Sequence, residues 1–177
     1  IILHYNTPAS EIAAMKPKGI ILSGGPSSVY SRKAPLPDKK IFELGIPILG
    51  ICFGLQVMAK FLNGKVERGQ KREYGKGTLS IRNDRCRLFN GLPKQLQVWN
   101  SHGDKLTALP EGFKAVATTE NSGFAAIENT KSRFYGLQFH PEVVHTPKGK
   151  TIISNFVHKI CGCGRKWTMR NYVDQAT

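Results

Sequence analysis

Gly50-Ile51-Cys52-Phe53-Gly54-Leu55-Gln56 follows the apolar run Ile46-Pro47-Ile48-Leu49 and leads into Leu55, Met58, Ala59 and Leu62. The first run reads as a buried strand. The second places its apolar residues at i, i+3, i+4 and i+7, on one helical face. A Cys between two glycines at a strand-to-helix turn has a physical meaning. The glycines let neighbouring backbone approach closely. The helix N-terminus, with its free N–H groups and dipole, favours a thiolate. This is the Cys form of the nucleophile elbow known with Ser. The plain alternative is a small apolar Cys packed at a strand end.

Upstream, Ile1 to His4 reads as a short strand, and Thr7-Pro8 as a helix start with Thr as N-cap and Ile12 and Met15 inward. Gly19 to Leu22 is a second strand running into Ser23-Gly24-Gly25-Pro26, whose glycines can aim backbone N–H groups into a site. Asp38 opens a helix closed by Gly45. Strand and helix alternate, which predicts a mostly parallel central sheet with helices on both faces, an α/β fold. Ligands of such sheets gather beyond the carboxyl ends of the strands, where Gly24, Gly25 and Cys52 all fall.

From Lys65 the pattern becomes short strand-like runs, predicting an added antiparallel region. The runs are Lys65 to Glu67, Gly77 to Ile81, Gln95 to Trp99, Ala115 to Thr118 and Ala125 to Ile127. Asn100-Ser101-His102-Gly103-Asp104 reads as a loop with site residues. Arg133 to Phe139 is a strand ending in His140-Pro141-Glu142, and Lys150 to Ile160 a helix. His140 and Glu142, two apart on an extended segment, can face one cleft as base and orienting acceptor for Cys52. His102 with Asp104 is the competing pair.

The chain has 177 residues, four cysteines and a net charge of +14. The length suits one domain, and no apolar run approaches the roughly 20 residues of a membrane span. The start shows no basic n-region or cleavage site, so reduced thiols in the cytoplasm are expected. It also lacks an initiator Met and opens inside a strand, as a piece of something longer would. Cys161 and Cys163 form a C-x-C pair without ligand partners, so no metal is expected. The basic run from Lys65 to Arg87 could meet nucleic acid, an acidic partner or nucleotide phosphates. Aromatic residues are not interleaved with it, which argues against nucleic acid.

Gly50 to Gln56, Ser23-Gly24-Gly25-Pro26 and Gln138-Phe139-His140-Pro141-Glu142, taken together, resemble the class I glutamine amidotransferases across nearly the whole chain. Arg72-Glu73-Tyr74-Gly75, Asn100 to Asp104, His140 to Thr146 and Phe156 to Cys163 resemble one purine-nucleotide-forming member more than the anthranilate, carbamoyl-phosphate or CTP synthase members. The resemblance implies a flavodoxin-like sheet whose first strand lies upstream of Ile1. It implies an amidotransferase domain over 1–163 and a linker over 164–177 toward an absent synthetase domain. In the family Cys52 attacks glutamine, and His140 is the base, oriented by Glu142. Backbone N–H groups of Gly25 and Phe53 stabilise the oxyanion, each such donor supplying about 3 kcal/mol. Gly24, Gln56, Ser101 and Asp104 hold the substrate. The domain itself takes no cofactor; ATP and Mg²⁺ serve the synthetase domain, which aminates xanthosine monophosphate. A γ-glutamyl peptidase of the same fold and a basic binding module are the competing readings.

Overall fold

The computed structural model describes residues 1–164, with the side chains of residues 70–72 left out. All of the expected linker beyond residue 164 lies outside the described residues. Seven strands form one sheet in the order β1-β2-β7-β6-β5-β3-β4. Strands β1 (Ile20–Leu22), β2 (Ile48–Ile51) and β7 (Phe134–Leu137) run parallel. Antiparallel β6 (Ala126–Asn129), β5 (Lys114–Thr118), β3 (Lys65–Ile81) and β4 (Gln95–Ala108) extend them. The parallel core and the antiparallel extension are those expected.

Side chains alternate between two cores, as the strand period of two requires. Ile48, Ile127 and Phe134 enter one core, with Leu55, Val57 and Met58 of helix α2 (Phe53–Phe61). Leu49, Ala126 and Tyr135, their immediate neighbours, enter the other. There they meet Ile152 of helix α3 (Gly149–Ser154) and Phe156 of the π-helical segment Asn155–Ile160 that continues it. Helices therefore cover both faces. The expected single helix over Lys150 to Ile160 changes pitch halfway, which a periodicity reading does not register.

Helix α1 (Ala9–Ala14) begins after Pro8, and no side chain caps it there. Thr7 is not its N-cap: the Thr7 hydroxyl donates to His4 O instead. The cap function falls to Asp38, 29 residues away, whose Oδ2 accepts the Ala9 N–H at 3.0 Å. Its Oδ1 accepts the Lys40 N–H at the head of the short 3₁₀ helix Lys39–Glu43. These two bonds, Ala9's first, hold the Asp38 carboxyl below its ordinary value. Ile12 is partly buried, but Met15 is exposed.

Three strand expectations need correction. Ile1 to His4 is not a strand. Ile1 and Ile2 are fully exposed, and β1 is hydrogen-bonded to β2 alone. A strand needs a neighbour to accept its ladder bonds, and among the described residues none pairs with this segment. Secondly, Lys65 to Glu67 and Gly77 to Ile81 belong to one 17-residue strand, β3. Thirdly, Asn100 to Asp104 is no loop; it lies inside β4, paired with β3. The inward positions Leu96, Val98, Asn100 and His102 are all buried. The alternation persists, but two of its inward residues are polar, so a hydropathy reading ends the strand early.

Candidate active site

Cys52 stands between β2 and α2 with φ +50° and ψ −103°. A non-glycine residue there is strained and persists only where its surroundings impose it. Its N–H donates to Leu137 O at 2.7 Å, tying it to β7. The glycines on either side are sterically required. A Cβ on Gly50 would lie 2.6 Å from Gly54 O, and one on Gly54 would collide with Leu22 O. The turn thus holds α2 close against the ends of β1 and β2. Phe53 is the first residue of α2, so its N–H has no acceptor within the helix. Gly25 lies against the Phe53 side chain, so the two residues expected to supply the oxyanion donors are neighbours.

A bend just beyond β7 delivers the histidine. The His140 N–H donates to Trp99 O at 2.9 Å, and the Thr146 hydroxyl donates to His140 O at 2.6 Å. That same hydroxyl accepts the Trp99 N–H at 3.0 Å. The loop is pinned to β4 on both sides of the histidine. His140 Nδ1 is 2.7 Å from Glu142 Oε1, leaving Nε2 for other work. Gly24 is the floor under this pair: a Cβ there would sit 2.9 Å from His140 Cε1 and 3.6 Å from Cys52 Cβ.

The charges follow the geometry. The Cys52 thiol and then Glu142 raise the His140 pKa to about 10, against the opposing effect of burial. Burial pushes the Glu142 carboxyl up, but the hydrogen bond and charge of His140 and its own N–H outweigh this and leave it lowered. His140 neighbours the Cys52 thiol and holds the Glu142 carboxylate by Nδ1, the order of groups in which a base activates a thiol nucleophile.

In front of Cys52 opens a cavity of about 690 Å³. Gly25, Gln56, Ser101 and Asp104 line it, with Arg68, Tyr30 and Tyr74 among its other walls. His140, Glu142 and Gly24 are not among its lining residues. Ser101 O faces Cys52 Sγ at 3.8 Å. Gln56 is buried and commits its amide N–H to Asp104 O at 3.0 Å, so it shapes the wall through the backbone. His102 also lines the cavity, but its Nε2 is 3.0 Å from Glu73 Oε2. Its partner is Glu73 and not Asp104, and the histidine facing Cys52 is His140.

Two contributors escaped the sequence reading. Gln138 is 1% exposed and directs Nε2 toward Cys52 Sγ at 4.0 Å. A polar residue in the otherwise apolar Phe134 to Phe139 run, two before His140, was the available signal. Thr146 had no such signal, because its role depends on the fold bringing Trp99 beside it. Cys86 and Cys161 lie elsewhere; burial first, then Glu128 and Cys163 respectively, pushes them up to about 12 and about 11. Among the described residues no group of three or more His, Cys, Asp or Glu could hold a metal, and no helix is long and apolar enough to cross a membrane.

Known proteins similar to this chain point one way. The family described as glutamine amidotransferase class-I matches residues 1–160. The glutamine-hydrolysing GMP synthase of Aquifex aeolicus is 50% identical over 174 residues, covering 98% of this chain and 34% of that protein. That of Debaryomyces hansenii is 57% identical over 160 residues, covering 90% of this chain and 30% of that protein. The chain thus spans about a third of the length of these relatives. A solved structure from Thermoplasma acidophilum, put forward as part of a GMP synthase, has a TM-score of 0.77 at 29% identity over 96% of this chain and 80% of its own. A glutamine amidotransferase from Thermotoga maritima has a TM-score of 0.70 at 25% identity over 82% and 79%.

Proposed function

We propose, from a chain that belongs to the class I glutamine amidotransferase family, that this protein hydrolyses glutamine at Cys52 and passes on the ammonia. The observation that carries the reading is the strained Cys52 at the head of α2 beside the His140–Glu142 pair. The Cys52 thiolate attacks the side-chain carbonyl carbon of glutamine. The oxyanion is met by the N–H groups of Gly25 and Phe53. His140 gives its proton to the departing nitrogen as the C–N bond breaks, so ammonia leaves and a glutamyl thioester remains. Neutral His140 then takes a proton from water, which attacks the thioester. Glutamate leaves and the protonation state of the pair is restored. Glu142 holds the imidazole by Nδ1 throughout. Gln56, Ser101 and Asp104 shape the subsite for the amino-acid end, with Gly24, expected to share in it, beside Cys52 and His140.

The relatives are GMP synthases about three times as long as this chain, and their likeness supports the finer reading. Residues 1–163 are the amidotransferase domain and 164–177 a linker to a synthetase domain. That domain uses ATP and Mg²⁺ to aminate xanthosine monophosphate with the ammonia supplied here, in the cytoplasm. The glutaminase half-reaction needs no cofactor. The basic face between Lys65 and Arg87, where Lys65, Arg68, Lys76, Arg82, Arg85 and Arg87 reach the surface, meets that domain or its anionic nucleotide. The deciding experiment follows glutamate and ammonia released from glutamine by this chain, alone and with a synthetase domain in trans. Release that disappears in Cys52→Ala is expected. Release that survives this change, or no release under either condition, refutes the reading.

A further inference from the structure

Strand β4 holds the site through its main chain. Trp99 O accepts the His140 N–H, Ser101 O faces the Cys52 thiol, and Asp104 O accepts the Gln56 amide. Between the last two carbonyls sits His102, 6% exposed, its side chain opposite to that of Ser101 by the strand alternation. Its Nε2 lies 3.0 Å from Oε2 of Glu73, itself 8% exposed. The Thr119 hydroxyl of the neighbouring connection donates to the same carboxylate at 2.9 Å. Burial raises the Glu73 pKa, yet the neighbouring His102 imidazole and the Thr119 hydroxyl outweigh it and leave it lowered, although His102 Nε2 lies beside the carboxylate out of line for a hydrogen bond.

The position of this contact matters. Glu73 and His102 are direct partners across β3 and β4, and the register shifts between Arg68 and Glu73. Regular ladder pairing is interrupted on one side of the contact, alongside Gly103 and Asp104. A buried carboxylate–imidazole contact there substitutes for the missing regularity. It fixes the height of β4 where the cavity wall formed by Ser101 to Asp104 begins.

We propose that Glu73 and His102 are a positioning pair for the substrate's amino-acid end: the buried contact sets β4 so that Asp104 O meets Gln56 and the cavity wall is in place. The inference rests on the glutaminase reading above. It assigns no proton transfer to His102. The effect falls on binding, because β2 and β7 hold Cys52 and the His140 loop is pinned at Trp99, where the β3–β4 pairing is regular, while the wall from Ser101 to Asp104 lies at the register shift.

The test uses the full chain and a chloroketone analogue of glutamine, with covalent capture at Cys52 followed by mass spectrometry. Its dependence on analogue concentration separates binding (KI) from the capture step (kinact). Glu73→Ala is expected to raise KI about tenfold while kinact stays within about threefold, the pattern of lost binding and not lost chemistry. Glu73→Gln keeps an acceptor for His102 and Thr119 and recovers most of the loss. Thr119→Val, which removes only the supporting hydroxyl, raises KI roughly two- to threefold, and carries the test if Glu73→Ala does not fold. A collapse of kinact at unchanged KI would make the pair part of the chemistry and overturn the inference. So would wild-type capture by Glu73→Ala, Glu73→Gln as poor as Glu73→Ala, or an unmoved KI in Thr119→Val. Failure of the wild type to be captured at Cys52 instead removes the glutaminase reading, and this inference with it.

Discussion

His140 Nδ1 lies 2.7 Å from Glu142 Oε1, across a single intervening proline. The sequence reading places both on one side of an extended segment, but the chain bends on either side of His140, and it is this bend, restricted by Pro141, that brings the two side chains together. The Cys52 thiol, and after it this contact, raise the His140 pKa to about 10.

That predicts a defined pH window for stability. The raised His140 pKa gives a contribution fully present below the ordinary 6.5 and lost as pH rises through about 10. The lowered Glu142 pKa gives one present above the ordinary 4.5 and lost as pH falls through its depressed value. The thermal midpoint of the wild type should therefore exceed that of Glu142→Gln between these limits. The gap should be widest between 4.5 and 6.5 and close on either side. A gap independent of pH would show that the contact is not an ion pair. In activity, His140→Asn should be nearly as damaging as loss of Cys52, and Glu142→Gln milder, since orienters matter less than the base. His102→Asn proving the more severe of the two histidine changes would reverse their roles.

Cys52→Ala should abolish glutaminase activity. A glutamine-like electrophile should modify Cys52 before Cys86, Cys161 or Cys163. Cys86 and Cys161 are held as neutral thiols by burial, up to about 12 and about 11, and neutral thiols are poor nucleophiles. Peptide mapping after partial labelling checks this, and preferential modification of any of the other three would refute the assignment.

The elbow was legible in the sequence because its chemistry is local. Strand, glycine, Cys, glycine and helical periodicity all fall within one short stretch, and each constrains the next. His140 and Glu142 were legible for the same reason. The β3–β4 ribbon was not, because its inward residues Asn100 and His102 are polar. What permits them there is Glu73 and the neighbouring strand, more than twenty residues upstream. Ile1 to His4 failed in the opposite direction. Its apolar residues suit a strand, but strand formation depends on a partner edge that no local pattern reveals.

Charge at a distance gives another prediction. Lys76 and Arg85 lie at the surface on the basic face. Reversing both to Glu should weaken coupling to a synthetase domain supplied in trans, while glutaminase activity of the chain alone changes little. The loss should be steeper at low salt, where exposed charges act over longer distances. Equal loss of both activities would show that this face serves the fold.

The last prediction concerns Gly24. Its φ is not in the left-handed region, so alanine brings no backbone strain, and the effect of Gly24→Ala is a matter of space alone. The new methyl would sit 2.9 Å from His140 Cε1, closer than carbon atoms tolerate, and 3.6 Å from Cys52 Cβ, an ordinary contact. The imidazole must therefore move, while the cysteine need not. Thr146 and Trp99 hold the histidine backbone, so the ring can yield only by turning away from the thiol or from Glu142. Either motion misaligns proton transfer, and misplacement of this order costs about a hundredfold in rate. Gly24 is partly exposed in a loop, so the thermal midpoint should barely move. Gly123→Ala, where a methyl meets nothing within 4 Å, is the matched control and should retain activity. Steady-state glutaminase rates with thermal melts of the three proteins decide the matter. Activity in Gly24→Ala near that of the control would mean that His140 is free to sit elsewhere during the reaction.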